Sequence, residues 1–195
     1  MKMKNQNEPQ RLFIALHVPS ELGRAIVQYE KELPVWRWYD AKELHLTIRF
    51  IGDTASDKIA PLTEAFEQGY GEQRMVRFTT LGYGFNPNER RASSLHLRMQ
   101  CSHAMEELKE KTDAIVAKVL GLPAEERKFK AHITLARFQR PPRFLDLKRL
   151  KTWADEMPKL PEPFAPEITL YRSELTKHGA IHTALAHHQL EMPIE

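Results

Sequence analysis

Residues 43–50 read Glu43-Leu44-His45-Leu46-Thr47-Ile48-Arg49-Phe50, and this alternation decides how the rest of the chain is read. Leu44, Leu46, Ile48 and Phe50 share one face of a strand, while His45, Thr47 and Arg49 share the other. Residues 130–138 repeat the pattern, with Ala131, Ile133 and Leu135 on one face and His132 and Thr134 on the other. The two His-x-Thr triplets stand 87 residues apart. Nine His and eleven Thr in 195 residues make roughly 0.5 such triplets by chance, so the triplets alone are weak evidence. The inference rests on their shared strand setting, their shared parity and their place as the second strand of each half.

Around these strands the elements fall into two similar series. Arg11–His17 predicts a buried strand, and Ser20 a helix cap before an apolar stripe of Leu22, Ile26 and Leu33. A helix starting at Ser56 or Asp57 carries Ile59, Leu62 and Phe66, although Pro61 leaves its start open. Met75–Leu81 predicts a strand and Gly82–Arg91 a loop. The series then begins again. Ser94–Met99 predicts a strand, and Ser102 caps a helix with Met105, Leu108, Ile115 and Val119 inward and Gly121 at its end. Asp146 predicts a cap for a helix with Leu147, Leu150 and Trp153 inward. Glu167–Arg172 and Ile181–Leu190 predict closing strands after the proline-rich connector 158–166. Each half thus reads β-α-β-α-β, with one more strand in the second, pointing to an α/β or α+β sandwich with helices on one side of each sheet. The expected organisation is one two-lobed domain over 1–195, with halves of roughly 11–91 and 92–195 that are free to exchange strands.

Composition excludes several classes. The net charge is +3 and the pI about 8.9, which permits an anionic partner without demanding one. Cys101 is the sole cysteine, so neither an intrachain disulfide nor a cysteine zinc site can form. The apolar run Leu12–Leu16 is far too short to span a membrane, and 1–10 is polar without a signal-peptide core. A reduced, cytoplasmic, folded protein is expected. No phosphate-binding glycine loop, dinucleotide fingerprint or serine elbow is present.

Two imidazoles facing one cleft can serve as an acid and a base together, and two hydroxyls beside them can bind phosphate oxygens. That set suits metal-free phosphodiester cleavage. The plain alternative is two surface histidines on half-exposed sheets, with threonines that merely favour strands. Arg49 shares the parity of His45 and is expected to reach the cleft and neutralise phosphate. Arg137 has the opposite parity from His132 and reaches it only if a bulge intervenes or its side chain wraps the edge. The basic stretch Lys128, Lys130, Arg137, Arg140 and Arg143 suits RNA backbone, and Phe129, Phe138, Phe144, Tyr83 and Phe85 are candidate stacking surfaces. His187 and His188, with His178 and His182, suggest a metal. Adjacent strand residues point to opposite faces, so no metal site is expected.

The stretches Arg11–Leu16, Leu44–Gly52, Ala131–Arg137 and Leu170–Leu175 together resemble the 2H phosphoesterase superfamily, specifically its bacterial RNA 2′,3′-cyclic phosphodiesterase (2′-5′ RNA ligase) family. The resemblance spans nearly the whole chain in order. It implies a two-lobed α+β fold in which two antiparallel sheets form a cleft. It implies hydrolysis of a 2′,3′-cyclic phosphate at an RNA end to a 2′-phosphate, with His45 as proton donor and His132 as proton acceptor. Thr47 and Thr134 would bind the phosphate. It also implies joining of RNA halves, those of tRNA included, through 2′-5′ linkages in the reverse direction, without cofactor or metal. Two positions depart from the family pattern: Ala131 stands where Pro is frequent, and His182-Thr183 where Tyr-Thr is common. Alternatives are a non-catalytic RNA-binding module and a relative acting on another cyclic or 2′-5′ linked nucleotide. A monomer is expected, since one chain carries both motifs.

Overall fold

The computed structural model describes residues 8–28, 37–177 and 179–193. Its strands are β1 (Gln10–His17), β2 (Arg37–Trp38), β3 (His45–Thr54), β4 (Val76–Arg77), β5 (Thr80–Asn86), β6 (Ser94–Met99), β7 (His132–Arg137), β8 (Phe164–Ala165), β9 (Glu167–Thr176) and β10 (Gly179–Gln189). The helices are α1 (Ser20–Val27), α2 (Ser56–Gln68), α3 (His103–Leu120) and α4 (Phe144–Asp155). The architecture is α+β. An antiparallel sheet runs in the order β10-β9-β1-β3-β7-β6-β5, with β2 also paired to β7, while β4 and β8 form a separate ribbon.

The order shows where the two lobes meet. Strands β10, β9, β1 and β3 make one, and β7, β6 and β5 the other, so the C-terminal strands complete the sheet that the N-terminal strand begins. The seam is the antiparallel pair Leu46↔Ile133 between β3 and β7, and both side chains are fully buried. They join a core that includes Leu12, Ile14, Leu16, Leu22, Phe66, Leu97 and Leu108. That single apolar face is why the alternation in residues 43–48 and 131–135 is so regular.

Beyond the triplets the alternation breaks, in both lobes at the same place. In β3, Ile14 pairs with Arg49 and Ala15 with Thr47, which leaves Ile48 as an extra residue. In β7, Leu95 pairs with Ala136 and His96 with Thr134, which leaves Leu135 extra. Each is a β-bulge, and each reverses the parity of the residues beyond it. Arg49 and Ala136 turn to the helix side and are buried; Phe50 and Arg137 turn to the open side and are exposed. Phe50, expected on the apolar face, is 44% exposed.

Several local expectations are corrected in the same way. Pro19, not Ser20, is the N-cap of α1, and it makes no side-chain cap bond. Leu33 lies outside the described residues. Helix α2 runs from Ser56 straight through Pro61. The expected strand 75–81 divides into β4 and the start of β5, and the expected loop 82–91 is strand as far as Asn86. Glycines suggested a loop there, but Gly84 is needed inside the strand. A Cβ at that position would lie 2.6 Å from Nε2 of His96 on the adjacent β6. Ser102 does cap α3, accepting from the Met105 N–H, and Gly121 ends it in the left-handed region at φ 68°. Asp146 sits inside α4 and accepts from the backbone N–H of Arg143, the residue that caps it. Among the described residues, no helix is long and apolar enough to cross a membrane.

Arg49 now has a structural account. It is 6% exposed, donates to the Pro123 carbonyl at 2.6 Å, and lies 3.6 Å from Asp113 and 3.8 Å from Glu125. Lys109 holds Asp113 from the other side at 2.6 Å. The network ties β3 to α3 and the loop after it. Removing one member of a buried ionic set leaves its partners uncompensated, at a cost on the order of 3 kcal/mol. Arg49→Met is therefore expected to lower unfolding stability by about that amount in urea titrations. An unchanged midpoint would show that the network holds nothing.

Candidate active site

The antiparallel seam sets His45 against Thr134 and Thr47 against His132, all on the face opposite Leu46 and Ile133. These four side chains line one cleft of about 610 Å³. Around them stand Arg11, Phe13, Arg37, Tyr39, Glu43 and Phe50, then Arg137, Ser173 and His182. The two triplets expected to converge are thus brought together. Arg137 joins them by way of the bulge at Leu135, and its Nε donates to the Tyr39 hydroxyl at 2.8 Å. Arg49, expected beside them, is not among the lining residues, because the bulge at Ile48 turns it under α3.

Both motif histidines are oriented alike. His45 Nδ1 donates to the Glu43 carbonyl at 2.8 Å, and His132 Nδ1 donates to the Lys130 carbonyl at 2.9 Å. A carbonyl can only accept, so the proton of each neutral ring sits on Nδ1 and Nε2 is left with the lone pair. The surroundings then differ. His45 is packed against Phe13 (ring centroids 5.2 Å) and His182 (5.3 Å). Burial pushes its pKa down from 6.5 to about 4. The neighbouring His182, His17 and His132 push the same way, and the Glu43 bond opposes them. His132 is exposed and touches His96, ring centroid to centroid, at 5.2 Å. Burial, then His132 and Arg98, also lower His96 to about 4.

Of the aromatic candidates, Tyr83 packs on Trp153 and Phe85 near Phe138, away from the cleft, and Phe144 is exposed on α4. The aromatics that do line the cleft are Phe13, Tyr39 and Phe50, and Arg11 lies 4.5 Å over the Phe50 ring. Phe50 was hidden by the bulge. Phe13 sits inside an apolar run that carries no cleft signal. Of the basic stretch, Arg137 alone lines the cleft. His187 bonds Thr169 and His188 the Glu67 carbonyl, so they serve different elements. His178 lies outside the described residues. Among the described residues, no group of three or more His, Cys, Asp or Glu is placed to hold a metal ion.

No family model matches the chain. Two curated proteins named RNA 2′,3′-cyclic phosphodiesterase do. One, from Geobacillus stearothermophilus, is 28% identical over 93% of this chain and 58% of its own length. The other, from Thermus thermophilus, is 28% identical over 90% of this chain and 87% of its own length. This chain therefore spans little more than half of the first relative. A crystal structure of a Thermus thermophilus protein superposes with a TM-score of 0.73 at 25% identity, covering 92% of this chain and 97% of that one. The chain is thus similar over most of its length to proteins named RNA 2′,3′-cyclic phosphodiesterase, and it shares the fold of the Thermus thermophilus structure. In this chain the two lobes present their motif strands side by side rather than across a gap, which explains how residues 87 positions apart share one cleft.

The depressed pKa of His45 links the cleft to the stability of the fold. The unfolded chain takes up a proton on this histidine near pH 6.5, whereas the folded chain does so only near pH 4. Below 6.5 the unfolded state binds more protons, so stability falls as the pH drops toward 4. His96 acts in the same direction. Urea unfolding from pH 7.5 to 4.5 is expected to show a steady loss, and His45→Gln a shallower one. Equal slopes in the two proteins would mean that His45 does not titrate abnormally.

Proposed function

We propose that this cleft hydrolyses RNA 2′,3′-cyclic phosphate ends to 2′-phosphates without a metal, by paired histidine acid–base catalysis. The supporting observation is the arrangement of His45 and His132. Each Nδ1 is tied to the carbonyl two residues before it, and each leaves Nε2 free in one cleft with a threonine beside it. In this reading neutral His132 takes a proton from water at Nε2, and the water oxygen attacks phosphorus. The P–O3′ bond breaks and protonated His45 gives its proton to O3′. Thr47 and Thr134 hold the non-bridging oxygens, and Arg137 offers charge at the rim. Arg49 has no part. The curated relatives carry the name of this activity, which supports the substrate class.

His45 must be charged to act as the donor, although the free cleft keeps it neutral. The substrate supplies the difference. One negative phosphate charge about 4 Å from a part-buried imidazolium contributes about 4 kcal/mol at an effective dielectric near 20. That is enough to raise a pKa by about 3, which brings His45 from about 4 to near neutrality. Joining through a 2′-5′ linkage is the same displacement with an RNA 5′-hydroxyl in place of water: His132 takes the hydroxyl proton, the P–O3′ bond breaks and His45 protonates O3′, so no further residue is needed. Both motifs lie in one chain, so the reaction as proposed proceeds in a monomer, with both lobes acting as one catalytic unit.

The test is turnover of a short RNA ending in a 2′,3′-cyclic phosphate, with EDTA present and the product end identified. A 2′-phosphate is expected. His45→Ala and His132→Ala should each lower kcat by about 100-fold or more while leaving the fold intact. Full activity in either variant, or loss in EDTA restored by zinc, would defeat the mechanism. Binding of RNA without turnover would favour a non-catalytic RNA-binding module.

A further inference from the structure

The proposed proton transfers leave one cleft imidazole without a task. His182 on β10 meets His45 edge to face, with centroids 5.3 Å apart at 82°. It meets Phe13 in the same way at 4.8 Å and 73°, and Phe13 is backed in turn by Tyr171, stacked at 5.1 Å. The ring is therefore wedged in one orientation, beside the histidine expected to face the leaving oxygen.

Its two nitrogens have different fates. Nδ1 is buried and has no hydrogen-bond partner. Nε2 is the remaining polar atom of a ring that lines the cleft. A neutral imidazole carries one proton. Placed on Nδ1 it would make a buried N–H with no acceptor, a rarer and costlier condition than an under-used lone pair. Placed on Nε2 it becomes a donor open to the cleft. Burial keeps the ring neutral against the pull of the Glu43 carboxylate, so this form persists at neutral pH. His182 and His45 are thus of opposite tautomer. Neutral His45 offers a lone pair at Nε2, and His182 offers an N–H.

We propose that His182 is a substrate-contacting residue whose Nε2–H donates a hydrogen bond to an anionic phosphate oxygen held against His45. This rests on the reading of the cleft as a phosphate site. It assigns a third uncharged donor beside the two threonine hydroxyls, contributed by the C-terminal hairpin rather than by either motif.

The test is long-range ¹H–¹⁵N correlation spectroscopy of the histidines in the full chain at pH 7.5, titrated with inorganic phosphate. His182 is expected as the Nε2–H tautomer, and its Nε2 signal should move together with those of His45 and His132. His182→Phe keeps a ring against Phe13 and His45 but removes the donor. It should melt like the parent protein and bind phosphate about 10- to 100-fold more weakly, the range for a hydrogen bond to a charged group. His182→Gln, which keeps an N–H, should lose less. An Nδ1–H tautomer, or a Phe variant that binds as tightly as the parent, overturns the inference. Phosphate that moves His45 and His132 but not His182 overturns it while sparing the phosphate site. Phosphate that moves none of the three overturns both.

Discussion

Leu46 against Ile133 is the contact on which the rest of the cleft depends. Both are wholly buried, and they join two half-sheets whose other strands come from distant parts of the chain. Because a strand alternates its side chains, burying these two forces His45, Thr47, His132 and Thr134 onto the opposite side. Because the pairing is antiparallel, each histidine faces the other motif's threonine. The chemistry is thus positioned by hydrophobic burial alone. The polar groups need no contact with one another to be brought together. The carbonyl bonds from Glu43 and Lys130 then set only the rotation of each ring.

The backbone is symmetric where the side chains are not. Ile48 and Leu135 bulge at equivalent points, and each bulge sends one residue to the core and the next to the cleft. In one lobe those residues are Arg49 and Phe50, in the other Ala136 and Arg137. The first lobe thus places an aromatic ring on the cleft wall, with Arg11 over its face, and buries its cation under α3. The second places its cation on the cleft wall and buries a methyl group. Bulges near a site re-aim side chains without altering the fold around them. Here the same device in two related strands gives the cleft unlike ends, as binding an asymmetric molecule in one direction requires.

This also explains what the sequence could reveal. The four motif residues were legible because they precede the bulges, where period-two alternation holds without interruption. Arg49 was misplaced and Arg137 left conditional for one reason: a bulge adds a residue without leaving a compositional mark, and everything past it changes face. Gly84 looked like a loop residue because its cause, the His96 ring on the next strand, is a tertiary contact. In the sequence His182 stands out only as a departure from a family pattern and as one of four histidines near the C-terminus. Its neighbours Phe13 and His45 lie more than 130 positions earlier, and only the pairing of β10 with β9, of β9 with β1 and of β1 with β3 brings them together. Local pattern reports which face a residue takes. It cannot report which strand becomes its neighbour.

The two motif histidines, identical in backbone setting, are made different by what surrounds them. His132 stands at the exposed end of its strand, and His45 is enclosed by Phe13 and His182. Enclosure costs the charged form of His45 its hydration, so the empty cleft holds that ring neutral. In the proposed reaction the donor is therefore not charged in advance, and it gains its proton with the arrival of an anion. Such coupling makes the acid available only when there is a phosphate to receive its action. It also explains why an apolar ring such as Phe13 belongs in a site for a charged substrate. By excluding water it strengthens the attraction between the phosphate and the imidazolium that the phosphate brings into being.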